Sequence, residues 1–494
     1  MKQNTVILYQ PKVDYKPYYP CFWAPLSILS VAAPLVAKGI EVIILDGNLE
    51  QHQQDKEIVR SNISNCLCVG ITSMIGGNQL KRSLSFARFI KKEKTEIPIV
   101  FGGPLASVIP NQLLSSPEID YVVYGQGEQP MLDLVNSLIN GYKYKKIPGV
   151  ITRENQDNFQ ISFLDKNNFP PYPWELIDVE KYIRSDNYLG QRVLNYVSSQ
   201  GCPYRCGYCS EVAVYKSRWK ALSAERVIKE IKWLKQKYSL DGIKFYDANF
   251  FAKPKRVIEF VKGLIDNDLR LKWGASAHPN SIIALKNNLS EIKKSGLNRF
   301  LVGAESGSQQ ALNHINKNCS VKDNLRVAYL CAKHCIPVAF TFIVGIPGVK
   351  KDILKTLNLA LRMKKISREF DIKIHFYAPF PGTSLFKEAQ ALGYEPPNTL
   401  KEWSDYDYYL IQTPWVKKNQ EKKVRRFSDF YCDFPYSPFW FQEKINQNLV
   451  SSITYKILRR ITKIRCKIHC YRFPFEMIWF QKLAQKKQKR GDCK

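Results

Sequence analysis

Val193-Leu-Asn-Tyr-Val-Ser198 is an apolar, strand-like run that leads through Ser199-Gln-Gly201 into Cys202-Pro-Tyr-Arg-Cys206-Gly-Tyr-Cys209. Three cysteines this close in one loop can supply three thiolates to a cubane iron–sulfur cluster. A structural zinc, or a cluster ligated wholly by protein, wants a fourth ligand nearby, and no other cysteine stands at a comparable spacing in this loop. A three-ligand cluster leaves one iron open to a small molecule. A three-cysteine zinc site completed by a distant residue remains an alternative, as do three cysteines that merely share a core. For the fold, the position matters as much as the spacing: parallel α/β barrels place their chemistry in the loops directly after their strands.

Working outward, strands are predicted at 193–198, 242–247, 271–276, 299–304, 339–344 and 372–377, separated by helical patterns such as 224–238 and 323–335. Six β/α units at this spacing predict a parallel barrel, incomplete, over 191–398. Upstream, strands are predicted at 6–9, 41–46, 66–72, 97–103 and from 121, with helices at 25–38 and 79–93. Continuous Val/Ile runs ending in glycines predict a parallel sheet covered on both faces, a doubly wound domain over 1–150. Glycine-rich turns then gather at the strands' C-terminal ends, where open α/β sheets bind ligands. A sheet that packs helices and holds no ligand is the plainer alternative. Residues 151–190, with Pro170-Pro-Tyr-Pro173, read as a connector laid over the surface. Residues 399–494 read as an aromatic, basic extension without βα rhythm.

Composition excludes several classes. The chain has 494 residues, 45% hydrophobic and 24% charged, which is globular rather than disordered or collagenous. No apolar run approaches the roughly 20 residues of a membrane span, and no export signal opens the chain. A cytoplasmic location is expected, with the thirteen cysteines acting as buried thiols or ligands rather than disulfides. The formal charge is +30. Between 415 and 494 there are 20 Lys and Arg against 6 Asp and Glu, so nearly half of the excess lies there. Such a balance suits nucleic acid or anionic lipid without naming either.

The cysteine spacing, with an aromatic residue (Tyr208) before the last cysteine and a partial barrel behind it, resembles the radical S-adenosylmethionine superfamily. The resemblance implies that Cys202, Cys206 and Cys209 hold a [4Fe-4S] cluster whose open iron binds S-adenosylmethionine. It further implies reductive cleavage of that sulfonium to a 5′-deoxyadenosyl radical, with an external electron donor of the flavodoxin or ferredoxin type. Phe245-Tyr-Asp247-Ala-Asn-Phe250 resembles the family's acidic motif after the second strand. Gly303-Ala-Glu305-Ser306-Gly307 resembles the fourth-strand segment whose Glu and Ser side chains contact S-adenosylmethionine. Phe342-Ile-Val-Gly345-Ile-Pro-Gly348 resembles the fifth-strand motif beside the adenine, where Tyr208 is expected to pack, and Ala378-Pro-Phe-Pro-Gly382-Thr383 the sixth-strand end. At the third strand, Trp273-Gly-Ala-Ser-Ala-His278 departs by carrying His where relatives often carry Arg. His278 is expected to be a satisfied histidine at the barrel mouth, a substrate contact being the alternative.

A doubly wound domain ahead of such a barrel resembles the cobalamin-binding subclass. The residues are Pro25-Leu-Ser27, Gly70-Ile-Thr72-Ser73-Met74, Phe101-Gly102-Gly103-Pro104 and Gly125-Gln-Gly127-Glu128. The resemblance implies that Thr72, Ser73, Gly102, Gly103, Gly125, Gly127 and Glu128 hold the corrin and its nucleotide tail. It also implies that a second S-adenosylmethionine methylates the cobalt. Many cobalamin proteins carry an Asp-x-His-x-x-Gly loop whose His binds cobalt; here Gln10-Pro-Lys-Val-Asp14-Tyr15 has no His, and His52 is expected to face solvent. The implied activity is methylation of an unactivated carbon or phosphorus centre in a small-molecule or lipid-like substrate. A radical cyclase or rearrangement enzyme, or a basic RNA-modifying or RNA-binding protein, is the alternative.

Two tail features stand apart. Val450, Ile453, Ile457, Ile461, Ile464 and Ile468 recur at helical steps, with Lys456, Arg459, Arg460, Lys463, Arg465 and Lys467 between them. The stripe is expected to pack on the barrel with its charges solvated. Peripheral contact with an anionic membrane through 449–468, or with an acidic partner, is the alternative. The aromatics from Trp403 to Trp415, including Tyr406, Tyr408 and Tyr409, wall a substrate cavity or form core.

Overall fold

The computed structural model describes residues 4–13, 23–74, 76–142, 146–156, 159–160, 163–350, 352–406, 411–436 and 452–489. They form two compact units, one of residues 1–276 with 378–411 and one of residues 277–377 with 412–494.

In the first unit, the N-terminal sheet comprises β1 (Thr5–Gln10), β2 (Glu41–Asp46), β3 (Cys66–Thr72), β4 (Ile99–Gly102), β5 (Tyr121–Val123) and β6 (Val150–Ile151). Its order is β2-β1-β3-β4-β5-β6, parallel except that β6 runs antiparallel to β5. Successive side chains of a strand point to opposite faces. Val6 and Leu8 therefore join one core with Ile28 and Leu35 of the helix Leu26–Ala37, while Ile7 and Tyr9 join another with Leu84 and Ala87 of the helix Gly77–Glu93. This is the doubly wound domain read from the Val/Ile runs. β5 is shorter than its apolar stretch, because the chain turns at Tyr124 into the helix Glu128–Ile139.

The same unit holds β7 (Arg184–Asp186), β8 (Gly190–Tyr196), β11 (Gly242–Phe245) and β12 (Lys272–Ala277), adjacent in the order β12-β11-β8-β7, and a hairpin of β9 (Ser199–Gly201) with β10 (Trp219–Ala221). The expected surface connector has many exposed residues and is anchored by a set of buried side chains. Tyr172, Trp174, Val179 and Tyr182 are buried, Tyr182 donates to Asp46 (2.9 Å), and Lys166 is 4% exposed. Its prolines end helices but do not keep its aromatic rings in water. Residues Leu400–Asp405, expected within the C-terminal extension, pack against the helix Gly77–Glu93. Trp403 there is buried and donates to Gln112 (2.9 Å), so it is core rather than cavity wall. Tyr408 and Tyr409 lie outside the described residues.

The second unit contains the parallel strands β13 (Leu297–Glu305), β14 (Val338–Val344) and β15 (Asp371–Phe376), in that order, with helices between them. It also contains the tail helices Ser452–Ile468 and Phe475–Lys489. The expected packing of the isoleucine stripe is reversed. Thr462 and Cys466 are buried, the Cys466 thiol donating to Tyr431 O (3.2 Å), whereas Ile457, Ile464 and Ile468 are 53%, 59% and 65% exposed. The mixed face packs because its polar groups find partners, such as Arg459 on Pro435 O (2.7 Å). Val450 lies outside the described residues. Among those residues, no helix is long and apolar enough to cross a membrane.

Candidate active site

The cysteine loop is an excursion from the β9–β10 hairpin, whose register sets Trp219 against Gly201. Gly201 has φ +75°, and a Cβ there would lie 2.1 Å from Arg218 O. Only glycine lets the strand close directly before Cys202. Within the loop, Cys209 N–H donates to Cys206 O (3.2 Å). Gly207 O accepts from Leu385 N–H (3.1 Å) and from the Ser384 hydroxyl (3.4 Å), which brings the 378–383 segment onto the loop. Cys206 is buried, and Cys202 and Cys209 are half-buried; Tyr208 lies half-buried between them. Burial and the neighbouring Glu211, Cys206 and Cys202 push the Cys209 thiol up to about 12. Thiols held so high bind iron as thiolates only with the metal's own charge to offset desolvation. Among the described residues no three Cys, His, Asp or Glu side chains close on a single metal ion. Three thiols in one loop form a donor set that suits an inorganic cluster with one corner left over.

Asp247 is bound to the segment that leads into this loop. Its carboxylate accepts from Ser198 N–H (2.6 Å) and from the hydroxyls of Ser198 (2.6 Å) and Ser199 (2.8 Å), fastening the chain that feeds the cysteines. Burial raises its pKa against the pull of Arg256, which donates to Ser198 Oγ (2.7 Å) and Leu222 O (2.7 Å). Two residues on, Asn249 is 1% exposed, and neither its amide oxygen nor its nitrogen has a partner among the described residues. A buried amide left unpaired costs about 1–3 kcal/mol, so this side chain is suited to a polar ligand. Sequence reading passed over it beside the more conspicuous Asp247. An uncharged amide in a quoted strand-end motif was the available signal.

In the second unit, Glu305 is buried at φ +60° and paired with Lys317 Nζ (3.0 Å). A Cβ on Gly303 would stand 2.1 Å from Glu305 Oε1, so this side chain lies where only glycine leaves room. Ser306 is buried, meeting Thr356 Oγ1 (3.2 Å) and accepting from Ser308 N–H (3.1 Å). Gly345 N–H donates to Asp352 (3.1 Å), and Gly345 O accepts from Trp415 Nε1 (2.8 Å). Glu305, Ser306 and Gly345 were expected to meet S-adenosylmethionine through these groups; all three already have protein partners. His278 accepts from Asn280 N–H (3.2 Å) and meets Lys317 O (2.8 Å), the satisfied histidine expected. Burial and the Lys317 charge push its pKa down to about 3. Lys373 and His375 project from β15 on its exposed side, alternating with buried Ile372 and Ile374. A two-residue polar alternation inside a parallel strand was their signal in the sequence.

The N-terminal strand ends converge as expected. β3 and β4 pair Thr72 with Gly102, and Ser73 N–H donates to Gly102 O (3.1 Å). Ser107 links the next turn, its N–H meeting Gly103 O (3.3 Å) and its hydroxyl accepting from Gly125 N–H (2.9 Å). A Cβ built on Gly102 meets nothing within 4 Å, and the buried Ser73 hydroxyl has no partner among the described residues. Open space bordered by backbone and an orphan hydroxyl fits a large ligand with polar edges. Glu128, which opens the helix after the β5 turn, is committed to protein partners. It is 1% exposed and meets Ser30 (2.6 Å), Gln200 (3.0 Å) and Lys166 (3.5 Å). Burial pushes its carboxyl up, but Lys166 and the Ser30 hydroxyl outweigh this and hold it below the ordinary range. Gln200 also meets Gln126 (3.0 Å), so the β5 turn is bonded to the residue two before Cys202. His52 is exposed, as expected.

The family model described as Radical SAM superfamily matches residues 196–360, and that described as B12 binding domain matches residues 19–135. An uncharacterized methyltransferase of Pyrococcus horikoshii is 26% identical over 377 residues, 74% of this chain and 78% of the relative. The anaerobic magnesium-protoporphyrin IX monomethyl ester cyclase of Rubrivivax gelatinosus is 27% identical over 413 residues, 80% of this chain and 70% of the relative. The radical S-adenosylmethionine methyltransferase TsrM of Kitasatospora setae shares the fold at TM-score 0.62 and 18% identity, over 81% of this chain and 80% of that one. The two matched domains, in this order, carry the cysteine loop and the glycine-lined sheet edge described above. The family's cofactors are a [4Fe-4S] cluster, S-adenosylmethionine and cobalamin. The chain belongs to the cobalamin-binding radical S-adenosylmethionine enzymes.

Proposed function

We propose that this protein is a methyltransferase acting on an unactivated carbon or phosphorus centre of a small-molecule or lipid-like substrate. The supporting observation is the bridge at Gln200, which ties the turn after β5 to the base of the cysteine loop within one unit. Transfer from one cofactor to a substrate activated by another needs the two held at fixed separation. When bound, the cluster with S-adenosylmethionine would supply a substrate radical, and cobalamin the methyl group. Cys202, Cys206 and Cys209 hold the cluster, with electrons from an external flavodoxin- or ferredoxin-type donor. Asn249 offers S-adenosylmethionine a buried amide and Tyr208 a ring beside the adenine; the resemblance adds Glu305, Ser306 and Gly345 as further proposed contacts. Thr72, Ser73, Gly102, Gly103 and Gly125 receive the corrin and its tail. Glu128 and Asp247 position these loops without touching a cofactor.

Anaerobic reconstitution with iron, sulfide and hydroxocobalamin tests the cofactor set, with about four Fe and one Co expected per chain. Cys209→Ala should lose most of the iron. Iron without cobalt would overturn the methyl-transfer reading. The second reading, a radical cyclase, is favoured by the likeness to the Rubrivivax cyclase. Methyl-labelled S-adenosylmethionine separates the two: label in the product supports transfer, and label confined to methionine supports cyclisation.

A further inference from the structure

The helix Ser452–Ile468 packs through one face and leaves its isoleucine row on another. Ile457, Ile464 and Ile468 stand seven and four residues apart on that face, and exposed Lys456, Arg460, Lys463 and Lys467 run beside them. The surface continues past the helix. Phe473 is 83% exposed, Phe475 52%, Ile478 46% and Trp479 37%. The turn carrying Phe473 is held rigidly in this exposed position. Arg465 donates to Cys470 O (3.3 Å), Arg472 O (2.6 Å) and Phe473 O (3.1 Å), pairs with buried Glu476 (2.8 Å), and leaves Phe473 at φ +48°. A left-handed, non-glycine residue costs about 1 kcal/mol or more, yet here it presents a phenyl ring to water.

We propose that this C-terminal surface docks the protein on an anionic lipid bilayer, with the isoleucines and Phe473 entering the acyl boundary and the lysines and arginines meeting the headgroups. Charge complementarity selects the occupant. Residues 452–489 carry eleven Lys and Arg against one acid, Glu476, which is buried in its ion pair. A second copy of this surface would bring like charges together. RNA is recognised by stacking on aromatic or arginine planes; Phe473, Phe475 and Trp479 offer such planes, but the row of Ile457, Ile464 and Ile468 does not, and that row is what an acyl boundary receives. An apolar row with a basic flank, lying flat, is the geometry of interfacial helices. This inference stands independently of the reaction catalysed.

The test is co-sedimentation of the full chain with vesicles of phosphatidylcholine alone and of phosphatidylcholine with phosphatidylglycerol. Binding is expected only to the anionic vesicles and should fall as salt rises. Ile464→Asp with Ile468→Asp should weaken it by about tenfold or more, since both side chains lose their apolar insertion. Lys456→Ala, Arg460→Ala and Lys467→Ala together should cost about fivefold per charge. All five positions are exposed, and an unchanged Tm shows that the fold is intact. Should one set unfold, the other decides. Equal binding to both vesicles, no binding to either, or binding untouched by the intact variants overturns the proposal. So does an RNA oligonucleotide that binds through the same residues in place of lipid.

Discussion

The N-terminal sheet edge and the cysteine loop prepare for ligands in different ways. At the ends of β3, β4 and β5 the protein offers backbone and empty space: Gly102 has no neighbour within 4 Å of where a Cβ would stand. Around Cys202–Cys209 it offers side chains, on a loop pinned by a hairpin, by Asp247 and by the 378–385 segment. A bulky ring system is received by removing atoms, and a metal cluster by placing donor atoms. The two regions share one trait. Their charged residues, Glu128 and Asp247, are committed to protein partners, while a neutral polar group in each, Ser73 and Asn249, is left without one. A buried charge cannot wait unpaired for a ligand, whereas a hydroxyl or amide can at about 1–3 kcal/mol.

Three substitutions test this contrast and the packing around it. Lys166→Met has the largest expected effect, because it strands the Glu128 carboxylate among Ser30 and Gln200. A loss of about 3–5 kcal/mol in unfolding free energy is expected, and a change under 1 kcal/mol in a urea titration would show that Glu128 tolerates isolation. Gly102→Leu comes next. The side chain enters open space, so stability should shift by no more than about 0.5 kcal/mol, while cobalamin affinity falls at least about tenfold with iron content unchanged. Cobalt retained at wild-type affinity would remove the cradle from this edge.

The smallest effect concerns His278, whose folded pKa of about 3 lies below the ordinary value near 6.5. The unfolded chain then binds the extra proton. Stability is therefore full above about pH 6.5 and declines as pH falls toward 3, by at most about 1.4 kcal/mol per pH unit. His278→Asn, which keeps an acceptor for Asn280 N–H, should flatten that slope between pH 6 and 5. An unchanged slope would assign it to other groups.

How much of this was legible in the sequence varied with the range of the interaction. β2 and β3 fall on the apolar runs 41–46 and 66–72 as read, because buried parallel strands are written as unbroken Val, Ile and Leu. The cysteine loop was legible for a similar reason: its three cysteines are neighbours in the chain. The protein partners of Glu128, Glu305 and Ser306 were not, since Lys166, Lys317 and Thr356 are lysines and a threonine of no distinctive pattern. The buried anchors of the connector were not legible either, because Pro170 to Pro173 signals a break in helix, and a break does not say whether Trp174 is buried. In the tail the periodicity found the isoleucine row correctly but not its direction. A helical stripe records that residues share a face, and only the packing of Cys466 and Thr462 shows that the face turns outward.

Local sequence was enough for the fold class, the order of the two domains and the three cysteines proposed to hold the cluster. All of these are encoded by local periodicity and local spacing. Only the tertiary structure decided which polar groups are already paired, which are left for a ligand, and that Gln200 fastens the β5 turn to the cysteine loop. Those facts depend on residues from Ser30 to Asn249 meeting through the fold, and a hydrogen bond between distant residues leaves no periodic trace in the chain.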